Sequence, residues 1–225
     1  MKTNKFRRSF ALAASACVLT GVLATGASAS TVTADYSVGA NAYTRIDASS
    51  QGRMSVLAAQ FKMETTAGES FLAYCLDLAH HIADGVAYKV TTLADGWFSD
   101  TAVKDIDRLF TSHYASLGSD NTRNAGFQLA LWEIVEESSG NSYDLSSGAF
   151  SVTSRAAAQG QSFLDNLGSA TGGYKLTFLD SDTNQSLVSA DFSTNVAPVP
   201  VPAGLPLLLT GLGGIALIRR KRSKA

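Results

Sequence analysis

Cysteine is scarce in this chain, which has only two in 225 residues. Cys17 lies in the apolar N-terminal segment, so Cys75 is the only cysteine in the rest of the chain. In a secreted protein, a cysteine without a disulfide partner is unusual and indicates an intermolecular bond or a reactive thiol. The sequence therefore singles out Cys75 as a residue whose chemistry needs an explanation.

Several signatures of enzymes and of metal or cofactor sites are also missing. The chain has no internal repeat, no glycine loop that could hold a phosphate and no glycine-framed cysteine motif of the protease type. Its three histidines could join Cys75 in a nucleophilic site, or join Asp77 in a metal site. His80 and His81 are adjacent, however, and cannot face one pocket from a strand, and no spacing fixes a metal geometry. We therefore predict no enzyme activity, no metal and no cofactor.

The N-terminal segment, residues 1–29, has the pattern of a secretory signal peptide. Four basic residues precede an apolar run, and the segment ends in Ala27-Ser28-Ala29, a small-residue cleavage site. Arg7 and Arg8 loosely resemble a twin-arginine signal, but the general secretion route is favoured. A lipoprotein is disfavoured because Ala14 occupies the position where a lipobox has leucine. Cys17 is then removed with the leader, and the mature chain begins at Ser30.

The C-terminal end has three parts. Residues 193–203 form a linker, residues 204–218 carry no charge, and residues 219–225 are strongly basic. Fifteen uncharged residues fall short of the roughly 20 that a membrane-spanning helix needs, but counting from Val199 gives 20. We predict a transmembrane helix over 204–218 with a cytoplasmic tail, which leaves residues 30–192 outside the cell.

This three-part end resembles the VPLPA variant of the PEP-CTERM sorting signals of Gram-negative bacteria. The resemblance implies that an exosortase-type membrane peptidase recognises the sorting motif and processes the tail. Val201 stands where that motif usually has leucine, and a plain C-terminal anchor is the alternative. The protein is then exported, anchored in the membrane, and finally placed at the cell surface or outside it. The sorting motif consists of Val199, Pro200, Val201, Pro202 and Ala203.

The charge of the exported part differs from that of the whole chain. The leader holds four of the 18 basic residues and the tail holds five, whereas all 19 acidic residues lie between them. The exported part therefore has nine basic residues and a net charge of −10. Such an acidic surface argues against nucleic acid or anionic polymers as partners.

Periodicity predicts an α+β domain over residues 30–192: a strand-rich barrel or sandwich with a helical insertion. Alternating and β-branched runs predict the strands, whereas 3.6-residue apolar spacing predicts the helices, the first of them capped by Asp100. The predicted strands are 31–38, 54–63, 70–78, 86–93, 174–179 and 186–192, and the predicted helices start near residues 100, 122 and 154.

The helix that contains residues 127–137 carries an unusual polar residue. Gln128 leads an apolar stripe with Leu131, Trp132 and Val135, while Glu133, Glu136 and Glu137 fall largely on the other side. A glutamine buried without a partner costs about 1–3 kcal/mol. Cys75 is the candidate partner, because on its strand it shares a face with Phe71, Ala73 and Asp77 and not with its bulky neighbours.

Two short motifs carry a family resemblance. Tyr74-Cys75-Leu76 is followed by Phe127-Gln128-Leu129-Ala130-Leu131-Trp132, with Cys75 and Gln128 53 residues apart. This pair of motifs resembles the thioester domains of bacterial surface adhesins. The resemblance implies an internal thioester between the Cys75 sulfur and the Gln128 carbonyl, used for covalent attachment to an amine on a surface protein or polysaccharide.

The residues around the predicted thioester suggest how it is protected and formed. Tyr74, Phe127 and Trp132 are placed to shield it from water, and Asp77, Glu133 or a histidine could assist proton transfer. The alternative is a non-reactive structural protein of the envelope or extracellular matrix, in which Cys75 is a buried thiol beside a hydrogen-bonded Gln128.

Overall fold

The computed structural model describes residues 30–92, 98–137 and 142–192, and these form an α+β domain. One antiparallel sheet of seven strands packs against three helices. The strands are β1 (Ser30–Ala48), β2 (Gly52–Thr65), β3 (Ser70–Cys75), β4 (Val86–Thr91), β5 (Phe150–Thr153), β6 (Thr177–Asp180) and β7 (Leu187–Ser189). The helices are α1 (Asp100–His113), α2 (Asn121–Glu137) and α3 (Arg155–Asp165), and a 3-10 turn, Tyr114–Ser116, follows α1.

Six of the strands close into a ring, so the sheet is a barrel and not a sandwich. The strand order is β2-β3-β7-β6-β4-β1, and β1 pairs again with β2. β5 lies outside the ring and pairs only with the last four residues of β1. Closure removes most of the free strand edges.

β1 is 19 residues long, more than twice the strand predicted for this segment. Its first part pairs with β4, its last part pairs with β5, and β2 lies along its other side. The register of β1 with β2 shifts between Val38 and Asn41, between the part of β1 that pairs with β4 and the part that pairs with β5. Gly39 lies at that shift, where a Cβ would be 2.9 Å from the main-chain oxygen of Gln60. The glycine interrupts the sequence pattern but not the strand.

The two faces of the barrel wall have different surroundings. Residues paired across the strands share a face, so Cys75 lies in a row with Leu187 and Leu179, all buried inside the barrel. The neighbouring row contains Tyr74 and Val188, and it faces the helices, where the Tyr74 ring contacts Phe127 of α2. Adjacent residues of β3 therefore belong to two different parts of the core.

The helices differ from the predicted ones in two respects. Ser99 and not Asp100 caps α1, accepting a hydrogen bond from the Ala102 amide at 3.2 Å. α2 is buried on all sides from Asn124 to Ile134, because it lies between the barrel and α3, so the prediction of a single buried stripe is wrong. Glu133, expected on the outer side, is completely buried.

The remaining differences from the prediction concern short strands and the ends of strands. β3 stops at Cys75, three residues before its predicted end, and β6 and β7 span only four and three residues. β5 was not predicted, since a strand of four residues leaves too short a pattern. None of the helices in the described ranges is long and apolar enough to span a membrane. The predicted signal peptide, sorting motif, transmembrane helix (204–218) and basic tail lie outside those ranges.

Candidate functional site

The side chain of Gln128 pairs with the main chain of Cys75. The Cys75 amide donates to Oε1 of Gln128 at 2.8 Å, and Nε2 of Gln128 donates to the Cys75 carbonyl at 2.7 Å. Cys75 is 1% exposed and Gln128 is fully buried. The structure thus brings together the two residues, 53 positions apart, that the sequence motifs singled out.

The pairing of β3 with β2 ends before Cys75, which explains why the main chain of Cys75 needs hydrogen bonds from a carboxamide. The last β2–β3 pair is Phe61 with Ala73, and before Phe61 the residues of β2 pair only with β1. Main-chain groups of alternate residues point to opposite neighbours, so those of Cys75 face the space that β2 has left. A carboxamide offers one acceptor and a donor, as a peptide group does, and Gln128 takes the place of the missing strand residue.

The thiol of Cys75 is held in its neutral form. Burial raises the pKa of the thiol well above its ordinary value, and the negative charge of Asp77 adds to the effect. Tyr88, whose pKa is also raised by burial, interacts with Cys75 across the barrel interior. Because the thiolate is the nucleophile, any attack by this sulfur requires a group that accepts its proton.

Asp77 and His80 form the polar group next to Cys75. Oδ1 of Asp77 accepts a hydrogen bond from the His80 amide at 3.0 Å and lies 3.2 Å from Nδ1 of its ring. The other carboxylate oxygen accepts from the Ser186 amide at 2.7 Å. The pair is fixed to the segment that follows β3, two to five residues after the thiol.

Tyr74 and Phe127, two of the three predicted shielding residues, are buried together in one aromatic cluster. Their ring centroids are 4.8 Å apart, and Phe110 of α1 lies 5.0 Å from Phe127. The Tyr74 hydroxyl donates to Oδ1 of Asn124 at 2.5 Å and accepts from Nε2 of Gln60 at 3.0 Å. This cluster lies on the helix side of the wall, behind the strand that carries Cys75.

Trp132, the third predicted shielding residue, lies elsewhere. It is one helical turn beyond Gln128, its ring is 6.4 Å from that of Phe150, and it is 3% exposed. Together with Phe61, Leu78 and His80 it lines a cavity of about 450 Å³. The indole Nε1 is buried and has no hydrogen-bond partner among the described residues. Trp132 is the residue through which α2 borders this cavity, whereas Cys75 and Gln128 do not line it.

Two other candidates for proton transfer are engaged elsewhere. Oε1 of Glu133 accepts a hydrogen bond from the Asp144 amide at 2.7 Å, on the side of α2 that faces the 142–149 loop. Nε2 of His113 lies 3.0 Å from the carbonyl of Phe163 and 3.1 Å from that of Asn166, at the end of α3. His81 is exposed. Within the described ranges, no three or more histidine, cysteine, aspartate or glutamate side chains lie close enough together to hold a metal ion.

Sequence reasoning missed the polar network that supports α2. Asn124, one turn before Gln128, is fully buried, and its Nδ2 donates to the carbonyls of Gly118 and Asp120 at 3.0 and 2.8 Å. Through the Tyr74 hydroxyl it is also connected to Gln60 of β2. Asn124 precedes Gln128 by four residues, and this spacing in a helix was the available signal.

Comparison with known proteins gives similarity at the level of solved structures. No protein-family model and no curated protein matches the chain. The chain is similar to the N-terminal thioester domain of fibronectin-binding protein SfbI from Streptococcus pyogenes, at 16% identity and a TM-score of 0.41, over 67% of this chain and 93% of that one.

Two further structures show comparable similarity. The N-terminal domain of the Streptococcus pyogenes pilus tip adhesin Cpa matches at 17% identity and a TM-score of 0.42, over 69% of this chain and 96% of that one. The N-terminal thioester domain of a surface protein from Clostridium perfringens matches at 11% identity and a TM-score of 0.38, over 68% of this chain and all of the other.

Proposed function

We propose that this protein is an exported, adhesin-like surface protein that attaches covalently to amine-bearing ligands through a thioester between Cys75 and Gln128. The observation that supports this proposal is the pairing of the Gln128 carboxamide with the main chain of Cys75 at a buried site. The thiol belongs to the same residue that the carboxamide contacts. These bonds fix the carboxamide at the residue that carries the thiol, and holding two reacting groups in near-attack geometry can lower a reaction barrier by up to about 7–11 kcal/mol.

The proposed chemistry needs no cofactor. In the forming step the Cys75 sulfur attacks the side-chain carbonyl carbon of Gln128, a carbon–sulfur bond forms, and the amide nitrogen leaves as ammonia with the thiol proton. In the attachment step a ligand amine attacks the same carbon, the carbon–sulfur bond breaks, and the sulfur takes up a proton. Gln128 ends as a substituted amide and Cys75 as a free thiol, so each chain reacts once and is not an enzyme.

Proton transfer in both steps is assigned to Asp77 and His80. The raised pKa of the Cys75 thiol means that a proton acceptor must be close when the sulfur attacks. The Asp77–His80 pair follows Cys75 directly, and His80 lines the cavity beside Trp132 through which a ligand can approach. Glu133 is excluded from this role because it binds the Asp144 amide on another side of α2.

The alternative function, a structural protein of the envelope or matrix, has an observation in its favour. The two hydrogen bonds already satisfy the buried carboxamide of Gln128 and the open end of β3 without any covalent bond. In this alternative the neutral thiol of Cys75 is a small apolar side chain inside the barrel. The two proposals differ in one atom of the mature protein: the side-chain nitrogen of Gln128 is lost if the thioester forms and is retained in the structural alternative.

The route to the cell surface is part of the proposal. The leader over residues 1–29 exports the chain, the 204–218 helix holds it in the membrane, and an exosortase-type peptidase recognises the motif over 199–203. The domain over residues 30–192 is thereby presented outside the cell, where amine-bearing ligands are available.

The intact mass of the mature protein, purified from the surface of expressing cells, tests the thioester. We expect a mass lower than that of the sequence by one ammonia, and Cys75→Ala restores the full mass. Gln161→Ala is the matched control, because Gln161 also bonds main-chain groups, those of Leu145 and Tyr143, at 2.9 Å but has no cysteine beside it. If the wild-type protein has its full mass and its Cys75 is alkylated after denaturation, no thioester has formed and the structural alternative is supported.

A further inference from the structure

A second surface feature lies where β1, β2 and β5 run side by side. Arg45 of β1 is opposite Ser55 of β2 and Thr153 of β5, so the three side chains form a row across the strands. This row is shared by two adjoining cavities of about 590 and 430 Å³. Arg53 lines the first cavity and Arg155 lines the second. We call the combined feature the arginine groove.

The arginine groove is unusual in a domain with so few cations. Residues 30–192 contain nine basic residues, and three of them line these two cavities. Arg53 is paired with Asp47 at 2.7 Å. Arg45 and Arg155 are exposed and make no ion pair within the described ranges, although the domain has an excess of carboxylates. Two unpaired guanidinium groups around one cavity attract an anionic ligand.

The start of α3 adds to the positive potential of this cavity. Arg155 is the first residue of the helix, and Ser154, at the N-cap position, makes no side-chain capping bond. Its hydroxyl is buried without a partner among the described residues, and it lines the same cavity as Arg155. In the first turn of this 11-residue helix the Ala157 amide donates to the Ser154 carbonyl at 3.2 Å, but no amide is capped by the Ser154 hydroxyl. This turn carries the positive end of the helix dipole.

The chemistry of the remaining lining indicates the kind of anion. Tyr43 lies beside Arg45, is 81% exposed, and offers a flat ring to the second cavity. Ser55 and Thr153 add hydroxyl groups that both donate and accept hydrogen bonds. A sugar ring fits this set, since its CH face can pack on an aromatic ring while its hydroxyls bond to serine and threonine. Guanidinium groups bind carboxylate or sulfate groups in bidentate fashion.

We propose that the arginine groove binds an acidic polysaccharide, one whose sugar units carry carboxylate or sulfate groups. Nucleic acid fits less well, because its backbone carries a charge about every 3.4 Å per strand and only three arginines face the groove. The net charge of −10 acts against any polyanion at long range, but salt limits that repulsion to about 8–10 Å. Short-range contacts in the groove then decide binding. This site is independent of the proposed thioester.

Binding of defined polymers to the mature protein tests this proposal. The probes are polygalacturonate, which carries carboxylates, dextran sulfate, which carries sulfates, and neutral dextran. We expect binding to at least one acidic polymer and none to neutral dextran, with affinity that falls as salt rises. The polymer that binds identifies the acidic group. Failure to bind either acidic polymer overturns the proposal.

Variants with matched changes of charge locate the site. The double variant Arg45→Gln/Arg155→Gln is expected to bind about tenfold more weakly. The control Lys62→Gln/Lys104→Gln removes the same charge from exposed positions outside the groove and leaves the affinity unchanged. An equal loss in the control overturns the proposal, because binding then follows net charge and not the groove.

Two further variants distinguish a saccharide site from a site for simple anions and from the thioester. Tyr43→Ala is expected to weaken binding several-fold, whereas an unchanged affinity means that the groove binds a simple anion and refutes the saccharide proposal. Cys75→Ala is expected to bind like the wild type. Since this variant cannot form a thioester, its result keeps the two proposals separate: either can fail while the other stands.

Discussion

Gly126 of α2 and Gly160 of α3 face each other where the two helices cross. A Cβ on Gly126 would lie 2.9 Å from the amide nitrogen of Gly160, and a Cβ on Gly160 would lie 2.8 Å from the Gly126 carbonyl oxygen. Both close approaches involve main-chain atoms, which cannot move aside as a flexible side chain can. The crossing holds α2 against α3 two residues before Gln128.

Gly160→Ala is therefore expected to lower the free energy of unfolding by about 1–3 kcal/mol, although alanine is the better helix former. Urea denaturation measures the change. Ala158→Ser, at an exposed position of the same helix, is the control and is expected to change stability by about 0.5 kcal/mol or less. If Gly160→Ala has the same free energy of unfolding as the wild type, the close approach of α2 and α3 at this glycine pair does not contribute to stability.

Removing the Tyr74 hydroxyl is expected to destabilise the domain. Tyr74→Phe leaves Oδ1 of Asn124 without its donor and Nε2 of Gln60 without its acceptor, at a buried position. A buried polar group left unpaired costs about 1–3 kcal/mol. Tyr43→Phe, at a position 81% exposed, is the control for loss of a hydroxyl. Equal urea midpoints for the two variants contradict a structural role for the network.

Glu133 is expected to make stability depend on pH. Burial raises the pKa of its carboxyl to about 7, and the nearby Glu137 and Asp144 contribute, while the hydrogen bond from the Asp144 amide opposes the shift. In the unfolded chain this carboxyl titrates near 4.5. The folded state therefore binds more protons between these values, so stability falls as pH rises from about 4.5 to about 7 and then levels off.

Glu133→Gln removes the titrating group and tests this dependence. We expect the decline in unfolding free energy between pH 4.5 and 7 to become smaller by about 1–3 kcal/mol, because the variant no longer loses a proton on unfolding. The two proteins should converge towards similar stability near pH 4. Glu136→Gln, at a position that is only partly buried, is the control. A decline of the same size in wild type and Glu133→Gln assigns the pH dependence to other groups.

Methylamine is expected to label the wild-type protein once per chain. Attack on the thioester carbon leaves the label on Gln128 and a new thiol at Cys75, which peptide mapping and thiol titration detect together. Gln128→Ala abolishes the label, whereas Gln161→Ala retains it. Labelling that survives Gln128→Ala, or repeated turnover of an amine substrate, contradicts a single-use covalent binder.

Processing of the tail is expected to remove the segment after the sorting motif. Peptides from residues 204–218 should be present in the newly made chain and missing from protein collected at the cell surface. Replacement of Pro200 and Pro202 by alanine should keep the tail attached, as recognition of the motif is lost. Intact tail peptides in surface material indicate a plain membrane anchor.

Local sequence was sufficient to identify the two residues of the candidate site. A lone cysteine and a glutamine within an apolar helix stood out because each breaks the pattern of its surroundings, and both signals lie within a few residues. The alternating strand around Cys75 also correctly separated the thiol from the face of Tyr74. The main helices were predicted for the same reason, since their apolar spacing and polar flanks are local properties.

Contacts between distant segments determined the rest. Gln128 bonds to the main chain of Cys75 because the pairing of β3 with β2 ends at Ala73. The residues of β3 alone do not determine where that pairing ends. Glu133 is buried where the 142–149 loop packs on α2 and the Asp144 amide bonds its carboxylate, although its position in the helix predicted exposure. The arginine groove likewise joins side chains from β1 and from the start of α3, which are far apart in the chain. Burial and charge pairing depend on which segments pack together, and only the tertiary structure decides that.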